Sequence, residues 1–566
     1  EISSAGAAMA EAYHLLAALD DPRVETILSD AVVLIDPAQN PDGRARFLAH
    51  TALTRGAWPS AHPLSAEHDE PWPGGRVNHY LFDLNRDWFA QTQPESRGRT
   101  SLLLDWNPQV VVDLHEMGGN STYYFPPNAV PGNPFTTEAQ RQALEEVGRN
   151  NADAFDRRGF PYFVGEVFDA FYPGYGVSWP MAQGALGMTF EKASARGLAY
   201  RRSDGTLLHY GDGVAEHFTA ALTTTHTAAV NRERLLREYL EFRRSAVEMG
   251  RSGTRAIVLH SEHDPAMAAR LARTLSRNGI EILATAEPFT AGGREFPAGT
   301  FVVPMDQPTH RLARNLLDPE VSLPDDFLEV QRERRANRLR DQIYDVTAWS
   351  LPLLWDVEAI QISEDLAVEG SVIPGRGLET LVGAEGLAPW SLGRPSPGGM
   401  IMTLEMPVLP PARVGYVLPW NSATAALAAE ALREGIPLRA AGASFSVEGR
   451  TFPVGSLLIR SVALDEEAHS SLALMAKRHS ADVVPVDTSF PSGDGISLGS
   501  NQFNSLERPR VLLVWGEPAS TYSTGWARYV LERRYGVDVT AVRSDALGRV
   551  ALSEFNVLIL PSGDFA

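Results

Sequence analysis

The sequence predicts an α/β fold that is divided into several units along its 566 residues. The run 110–112 consists of three valines, which predicts a buried strand, and it ends on the polar residues Asp113, His115 and Glu116. Strand-like and helix-like stretches also alternate over 256–303 and 510–560. A chain of this length exceeds one hydrophobic core, so we expect two to four domains.

Composition excludes several classes of function. The 50 basic and 70 acidic side chains give a net charge of −20, which argues against nucleic acid as the main partner. There is no cysteine, so disulfides, thiol nucleophiles and cysteine-based zinc sites are excluded. Any metal must therefore be held by histidines and carboxylates. No run of eighteen apolar residues predicts a transmembrane helix.

The sequence begins at Glu1 rather than at methionine and stops just after the strand-like run 557–560. We interpret both ends as cut. The absence of a targeting segment is then uninformative.

The first 250 residues contain five predicted helical, loop or irregular stretches and three predicted strands. In order, the patterns predict a helix over 3–19, a buried strand over 31–36, a loop over 37–43, an irregular region over 48–80, the strand at 110–112, a helix over 136–157, a strand over 187–191 and a long helical stretch over 213–249. Two of the strands end on polar groups, at His115 and at Glu191. Sites in open α/β sheets form at the carboxyl ends of strands, so both residues are candidates. The alternative for His115 is a strand-end histidine that a neighbouring carbonyl satisfies.

An internal repeat follows. The segment Arg277–Ile282 resembles Arg433–Leu438, and Gly293–Val303 resembles Gly449–Ile459. Both pairs are offset by 156 residues, because 433 − 277 and 449 − 293 are equal. We therefore expect two related α/β units over residues 251–505.

A third unit begins near residue 506. A strand at 510–514, a helix at 523–535 and strands at 537–540 and 556–560 predict a parallel sheet. This pattern resembles the opening of class I glutamine-amidotransferase-like domains. Those domains carry a nucleophilic cysteine that this chain lacks, so we expect no catalytic role for residues 506–566.

Four motifs in the first part of the chain occur in a characteristic order. They are Asn40-Pro-Asp-Gly43, the segment 83–89 with Asn85 and Arg86, Asp113-Leu-His115, and Thr189-Phe-Glu191. Together, over roughly residues 1–225, they resemble the M14 family of zinc carboxypeptidases. The resemblance implies a mixed, eight-stranded sheet with flanking helices over residues 1–250, and a catalytic domain there.

The resemblance also implies one zinc ion as cofactor. The family's His-x-x-Glu motif supplies two of its zinc ligands, and here Glu1 would be the glutamate, with the histidine three residues before the sequence starts. His115 would be the third protein ligand. Glu191 resembles the general base, which takes a proton from the attacking water and passes it to the leaving amine.

The remaining roles concern the substrate. Asn85 and Arg86 resemble the pair that grips the substrate's terminal carboxylate, for which the planar guanidinium is suited. Arg55 lies fifteen residues after Asn40 and resembles the arginine that polarises the scissile carbonyl.

The family also has a mobile tyrosine before the catalytic glutamate. Tyr172 is the preferred candidate and Tyr175 the alternative. Alignment on Trp179 places Val177 where it would face the substrate's last side chain, which would favour apolar C-terminal residues.

Each candidate also has an interpretation without catalysis. Arg86 could be a structural ion-pair partner, Glu191 a surface charge and Arg55 a solvated loop residue. The two tyrosines could be a packed aromatic wall. A second group of polar residues at 260–264 could bind a metal, although a helix cap is the default there.

The sequence therefore predicts a hydrolase, a zinc-dependent metallocarboxypeptidase that cleaves the C-terminal peptide bond of a substrate with a free C-terminus. The first alternative is a zinc-dependent deacylase or amidase that acts on N-acyl amino acids or cell-wall peptides. The second is a degenerate peptidase that binds peptides without cutting them. Proteins that resemble this arrangement are often secreted or periplasmic, and we expect the same location here.

Overall fold

The computed structural model describes residues 2–375, 407–493 and 495–565. The chain divides into two compact units, Glu1–His260 with Leu271–Gly375, and Ser261–Arg270 with Arg376–Ala566. This division does not coincide with the expected boundaries at residues 250 and 505, since Leu271–Gly375 belongs to the first unit. Within the described ranges, no helix combines the length and the apolar character that crossing a bilayer requires.

The first part of the first unit consists of helices around a small sheet. Its helices are α1 (Ile2–Ala17), α2 (Pro22–Asp30), α3 (Pro41–Thr54), α4 (Pro94–Trp106), α5 (Glu138–Asp156), α6 (Ser178–Gln183), α7 (Tyr210–Val230) and α8 (Arg232–Ser252). Its strands are β1 (Val110–Met117), β2 (Tyr123–Tyr124), β3 (Leu186–Ala193), β4 (Ala199–Arg201) and β5 (Leu207–His209). The sheet order is β1-β3-β2, and β4 pairs with β5 as a separate hairpin.

The central strand of this sheet is β3. All eight of its residues are buried, and it pairs with β1 in parallel and with β2 antiparallel. A Cβ added at Gly187 would lie 2.0 Å from the carbonyl oxygen of Val177, so glycine lets the chain before α6 pass directly over the strand. The predicted strands at 110–112 and 187–191 are confirmed as β1 and β3.

Local capping explains where several helices begin. Asn40 accepts a hydrogen bond from the Gly43 amide at 2.9 Å, and Pro41 occupies the first turn of α3. Thr137 and Gln140 form a reciprocal capping box at the start of α5. The helices predicted over 3–19 and 136–157 are confirmed as α1 and α5, whereas the stretch 213–249 is two helices, α7 and α8, that meet at Asn231.

The predicted strand over 31–36 is wrong. These residues form no ladder with any described strand, and the exposed fractions of Val32 and Leu34 are 74% and 43%. A strand needs a hydrogen-bonded neighbour, and β1 ends its own sheet on that side. For the same reason the expected eight-stranded sheet is not seen among the described residues, and Val110–Val112 are only half-buried.

The first repeat belongs to the first unit except for Ser261–Arg270, which is assigned to the second. It contains β6 (Ala256–His260), α9 (Pro265–Arg277), β7 (Leu283–Thr285), β8 (Phe289–Ala291), β9 (Arg294–Phe296), β10 (Phe301–Pro304), α10 (His310–Leu317), α11 (Asp325–Ala336), α12 (Leu351–Trp355), β11 (Glu358–Ile362) and β12 (Gly370–Val372). Five strands form an antiparallel sheet in the order β11-β6-β10-β7-β12, and β8 pairs with β9.

The second repeat lies in the second unit. It contains β13 (Gly415–Leu418), α13 (Ser422–Arg433), β14 (Arg439–Ala441), β15 (Phe445–Val447), β16 (Arg450–Phe452), β17 (Leu457–Arg460), α14 (Glu466–His479), β18 (Val484–Val486) and β19 (Phe503–Ser505). The sheet order is β18-β13-β17-β14-β19. Strands β7 to β10 and β14 to β17 match with an offset of 156 residues, so the sequence repeat corresponds to a repeated strand order.

The last described segment forms a three-stranded sheet. It contains β20 (Val511–Trp515), α15 (Thr521–Tyr529), β21 (Val539–Arg543) and β22 (Val557–Ile559). Strand β20 is central and pairs in parallel with both β21 and β22. The strand–helix–strand pattern predicts this parallel arrangement.

Candidate functional site

The register between β1 and β3 brings two candidate residues together. His115 and Glu191 are direct partners in this parallel pairing. Side chains at paired positions of neighbouring strands project from the same face, about 5 Å apart. Both are buried, with exposed fractions of 6% and 8%. The imidazole and the carboxylate therefore lie side by side at the carboxyl ends of the two strands.

Polar neighbours fix the orientation of His115. Its Nε2 lies 2.8 Å from Oδ2 of Asp113, two residues earlier on the same face of the strand. The side-chain amide of Asn85 approaches the same nitrogen at 3.4 Å. The backbone carbonyl of His115 contacts Nε2 of His217 at 3.1 Å, which ties β1 to α7. The imidazole is thus held by Asp113 from its own strand and by Asn85 from a separate turn, while His217 holds the backbone.

Asn85 connects this strand end to a second loop. It lies in a short 3₁₀ turn, Leu84–Arg86, which is capped by the Asp83 carboxylate. Its Oδ1 accepts a hydrogen bond from the Gly176 amide at 2.7 Å. A Cβ on Gly176 would lie 2.3 Å from Oδ2 of Asp113, so only glycine permits the 175–177 backbone to approach the site this closely.

Arg86 lies beside Asn85 and is surrounded by aromatic and acidic groups. Its guanidinium stacks on the Tyr175 ring, with 4.6 Å to the ring centroid, and its Nε donates to Oδ2 of Asp345 at 2.6 Å. Burial alone would lower the pKa of Arg86, but Asp83 and Asp345 outweigh it, and the pKa is raised above its usual value. Arg86 is therefore a permanent positive charge at this end of the site.

Both candidate tyrosines contact Arg86. The Tyr172 hydroxyl donates to the Arg86 carbonyl at 3.3 Å, and the rings of Tyr172 and Tyr175 meet edge to face at 5.1 Å. Burial raises the pKa of both hydroxyls, so both stay protonated at neutral pH. The Tyr175 hydroxyl is buried and has no hydrogen-bond partner among the described residues. It is a donor that a ligand could satisfy.

Two predicted residues, Arg55 and Val177, are not brought into this group, and a third lies outside the described residues. Arg55 is exposed where α3 ends. Val177 is 4% exposed and packs in the interior just before α6. Glu1 lies outside the described residues, but the next residue is placed: Glu116 accepts hydrogen bonds from the backbone amides of Ile2 and Ser3 at 3.3 and 2.9 Å. The carboxylate neighbouring His115 thus caps the start of α1.

The described residues do not complete a zinc site. Among them, no three His, Asp or Glu side chains are grouped so as to hold a metal ion. The Nε2 of His115 is already engaged by Asp113. For the polar cluster at 260–264, Asp264 accepts from the Met267 amide at 3.1 Å, as a helix cap does.

A cavity of about 590 Å³ runs along the free side of β1. It is bounded by the 31–40 segment, by Val110 and Val112, and by the polar end of the strand at Asn85 and His115. Neither Arg86 nor Glu191 lines it. The cavity therefore touches the candidate site at one end only.

Sequence patterns missed three residues that the structure places here. Asp345 and Tyr344 come from the irregular segment before α12, more than 250 residues after Arg86. Asp169 is buried close to the same charges, and burial raises its pKa to about 6. None of the three belongs to a local motif, so only the fold could reveal them.

No protein-family model and no curated protein matches this chain. Among solved structures, a metallo-carboxypeptidase from Burkholderia cenocepacia aligns at 15% identity over 41% of this chain and 52% of that one, with a TM-score of 0.27. A metallo-carboxypeptidase from Pseudomonas aeruginosa in complex with (2-guanidinoethylmercapto)succinic acid aligns at 17% identity over 40% and 53%, also with a TM-score of 0.27.

The chain spans about half the length of the solved structures that it matches. At TM-scores below 0.5 these likenesses establish neither a family nor a function. The fold is α/β, with several small sheets.

Proposed function

We propose that the first 250 residues form a carboxypeptidase-like hydrolase that removes the C-terminal residue of peptides. The observation that supports this most is the β1–β3 register, which sets the buried side chains of His115 and Glu191 beside each other near the carboxyl ends of two parallel strands. Asn85 contacts His115, and Arg86 is the next residue in the same 3₁₀ turn. The group therefore contains a carboxylate that can act as the base, Glu191, and a cation that can bind the terminal carboxylate of a peptide, Arg86.

In this proposal Glu191 takes a proton from a water that attacks the scissile carbonyl and then passes it to the leaving amine. Arg86 binds the terminal carboxylate through its planar fork, and the Tyr175 hydroxyl offers a further donor. Val177 near the last side chain of the substrate and Arg55 near the carbonyl stay predictions from the family resemblance.

Zinc also stays a prediction, with Glu1 and His115 as proposed ligands. The described residues alone do not fit a complete site, so the roles above are assigned to side chains of the chain itself. Secretion or a periplasmic location likewise stays a prediction.

The test uses the full-length protein, two peptides that differ only in a free or amidated C-terminus, and mass spectrometry with zinc supplied. We expect stepwise shortening of the free-ended peptide alone. Glu191→Gln should lower the rate at least about a hundredfold with binding retained, since general bases contribute 10²–10⁴. Arg86→Ala should weaken binding of the free-ended peptide. Full activity of Glu191→Gln contradicts the role of the base.

A peptide-binding module is the second candidate, because His115 is already engaged by Asp113 and the described residues complete no metal site. Binding of the free-ended peptide without any shortening selects this function. Release of acyl groups from N-acyl amino acids, with no action on either peptide, selects the deacylase.

A further inference from the structure

The segment 339–350 joins α11 to α12 without helix or strand, and it is fixed at both ends. Near its start, the Gln342 amide donates to Oε1 of Gln331 at 2.7 Å. At its end, Trp349 is 4% exposed and its indole donates to the Asn315 carbonyl at 2.7 Å. The residues between these anchors lie over the candidate site.

Tyr344 and Asp345 make the contacts with the site. The Tyr344 ring meets Phe168 at 5.6 Å and Tyr175 at 5.9 Å, edge to face in both cases. Burial raises the pKa of the Tyr344 hydroxyl. The positive charge of Arg86 lowers this pKa, and the negative charge of Glu191 raises it further. Tyr344 therefore lies within electrostatic reach of both ends of the proposed catalytic group.

Asp345 forms an ion pair with the guanidinium of Arg86. One of its carboxylate oxygens, Oδ2, lies 2.6 Å from both Nε and Nη2. The remaining terminal nitrogen, Nη1, donates to the backbone carbonyl of Asn85 at 2.9 Å. All three guanidinium nitrogens are thus engaged within the chain. Asp345 thus holds the Nε–Nη2 edge of the fork, and a second carboxylate has no access to that edge in this arrangement.

We propose that Asp345 stands in for a substrate carboxylate on Arg86, so that the segment 339–350 competes with peptide C-termini for the candidate site. This inference rests on the proposed role of Arg86 in binding the terminal carboxylate. The paired side chains keep exposed fractions of 27% and 33%, so the ion pair is partly screened and a ligand can displace it. The segment lowers affinity for a free C-terminus without closing the site permanently.

The inference is tested by fluorescence anisotropy with a labelled peptide, free-ended or amidated, in the full-length Glu191→Gln protein. Asp345→Asn keeps the size of the side chain and removes its charge. We expect it to tighten binding of the free-ended peptide about three- to tenfold, within the range of a partly exposed ion pair. Binding of the amidated peptide should not change, and adding Arg86→Ala should abolish the gain.

Asp341→Asn is the matched control, because Asp341 lies in the same segment but pairs with Arg335 at 2.6 Å. It should leave both affinities unchanged. Hydrogen exchange across 339–350 should also rise when the free-ended peptide binds the protein that retains Asp345.

The two proposals fail differently. If Arg86→Ala weakens peptide binding but Asp345→Asn changes stability alone, Asp345 is a structural partner and the competition is overturned, whatever the hydrolysis assay shows. If Asp345→Asn tightens binding but no peptide is shortened, the competition stands and the hydrolase proposal fails. If no variant binds the free-ended peptide, both are overturned.

Discussion

At the scale of single residues, Asp169 is a buried carboxylate whose charge is costly. Burial raises its pKa to about 6, against an ordinary value of 3.8, and the nearby Asp345 adds to the shift. A raised pKa means that the folded state holds the proton more tightly than the unfolded state. The stability that this provides is complete below about pH 4 and is lost as pH rises through about 6.

Asp169→Asn should therefore stabilise the protein at pH 7.5 by about 1–3 kcal/mol and have little effect at pH 4. The amide keeps an acceptor for the Phe171 backbone amide, which Asp169 now binds at 3.2 Å. Urea unfolding at several pH values measures the difference. A gain of equal size at pH 4 and pH 7.5 would show that the charge is not its cause.

Gly176 is the second residue on which the site geometry depends. Gly176→Ala places a methyl group 2.3 Å from Oδ2 of Asp113 and 3.1 Å from the Trp88 ring, so we expect a loss of about 1–3 kcal/mol. Gly118→Ala is the control, because an added Cβ there meets nothing within 4 Å. Thermal unfolding measures the stability of the two variants. Equal stability of Gly176→Ala and Gly118→Ala would show that the 175–177 loop can move away from Asp113.

At the scale of elements, a buried ion pair joins β3 to α7. Lys192, next to Glu191, lies 2.8 Å from Glu216, with side chains 2% and 8% exposed. Burial lowers the pKa of the lysine and raises that of the glutamate, while each charge opposes the shift of the other. The pair therefore holds β3 in place, but at a large desolvation cost.

Lys192→Met should destabilise the protein by about 3–5 kcal/mol, because it leaves Glu216 buried without its ion-pair partner. Adding Glu216→Met should recover most of that loss, since an apolar pair of similar volume avoids the desolvation cost. Chemical denaturation of the single and double variants gives the coupling free energy. A double variant as unstable as the single one would contradict this account.

Predictability from sequence differs between elements for a physical reason. Strand β1 and helix α5 could be predicted, because a run of valines and a helical spacing of apolar and charged residues are local signals. The 31–36 run carries the same apolar signal as a strand, yet whether it pairs depends on a neighbour that no local pattern encodes. Order and motif mark His115 and Glu191 as candidates, but their pairing is a tertiary contact that the motifs do not encode. The position of Asp345 on Arg86 depends on tertiary contact alone.

At the scale of the whole molecule, the two compact units each have a core of their own. Leu427 is fully buried in a cluster within the second unit, and Leu222 is buried in a cluster within the first. We expect two unfolding transitions in calorimetry, because separate cores lose their packing separately.

Leu427→Ala should lower the free energy of unfolding of the second unit by about 2–5 kcal/mol and leave the transition of the first unit unchanged. Leu222→Ala should have the reverse effect. The two substitutions serve as controls for each other. A single transition whose calorimetric and van't Hoff enthalpies agree, shifted by either substitution, would show that the units unfold together.

The free side of β1 has a consequence for the behaviour of the protein in solution. The Gln109 carbonyl accepts from the Leu186 amide of β3, and the Met117 carbonyl accepts from the Ser194 amide just after β3. By the alternation of a strand, the peptide groups of Val110, Val112 and Leu114 therefore face away from the sheet. No described strand covers that edge. The edge faces the cavity bounded by the 31–40 segment, and an unpaired edge is a template on which an extended chain that enters there can add a strand, including one from another copy. We therefore expect aggregation that increases with protein concentration. A charged residue introduced on this edge should reduce it, because charges oppose pairing between edges.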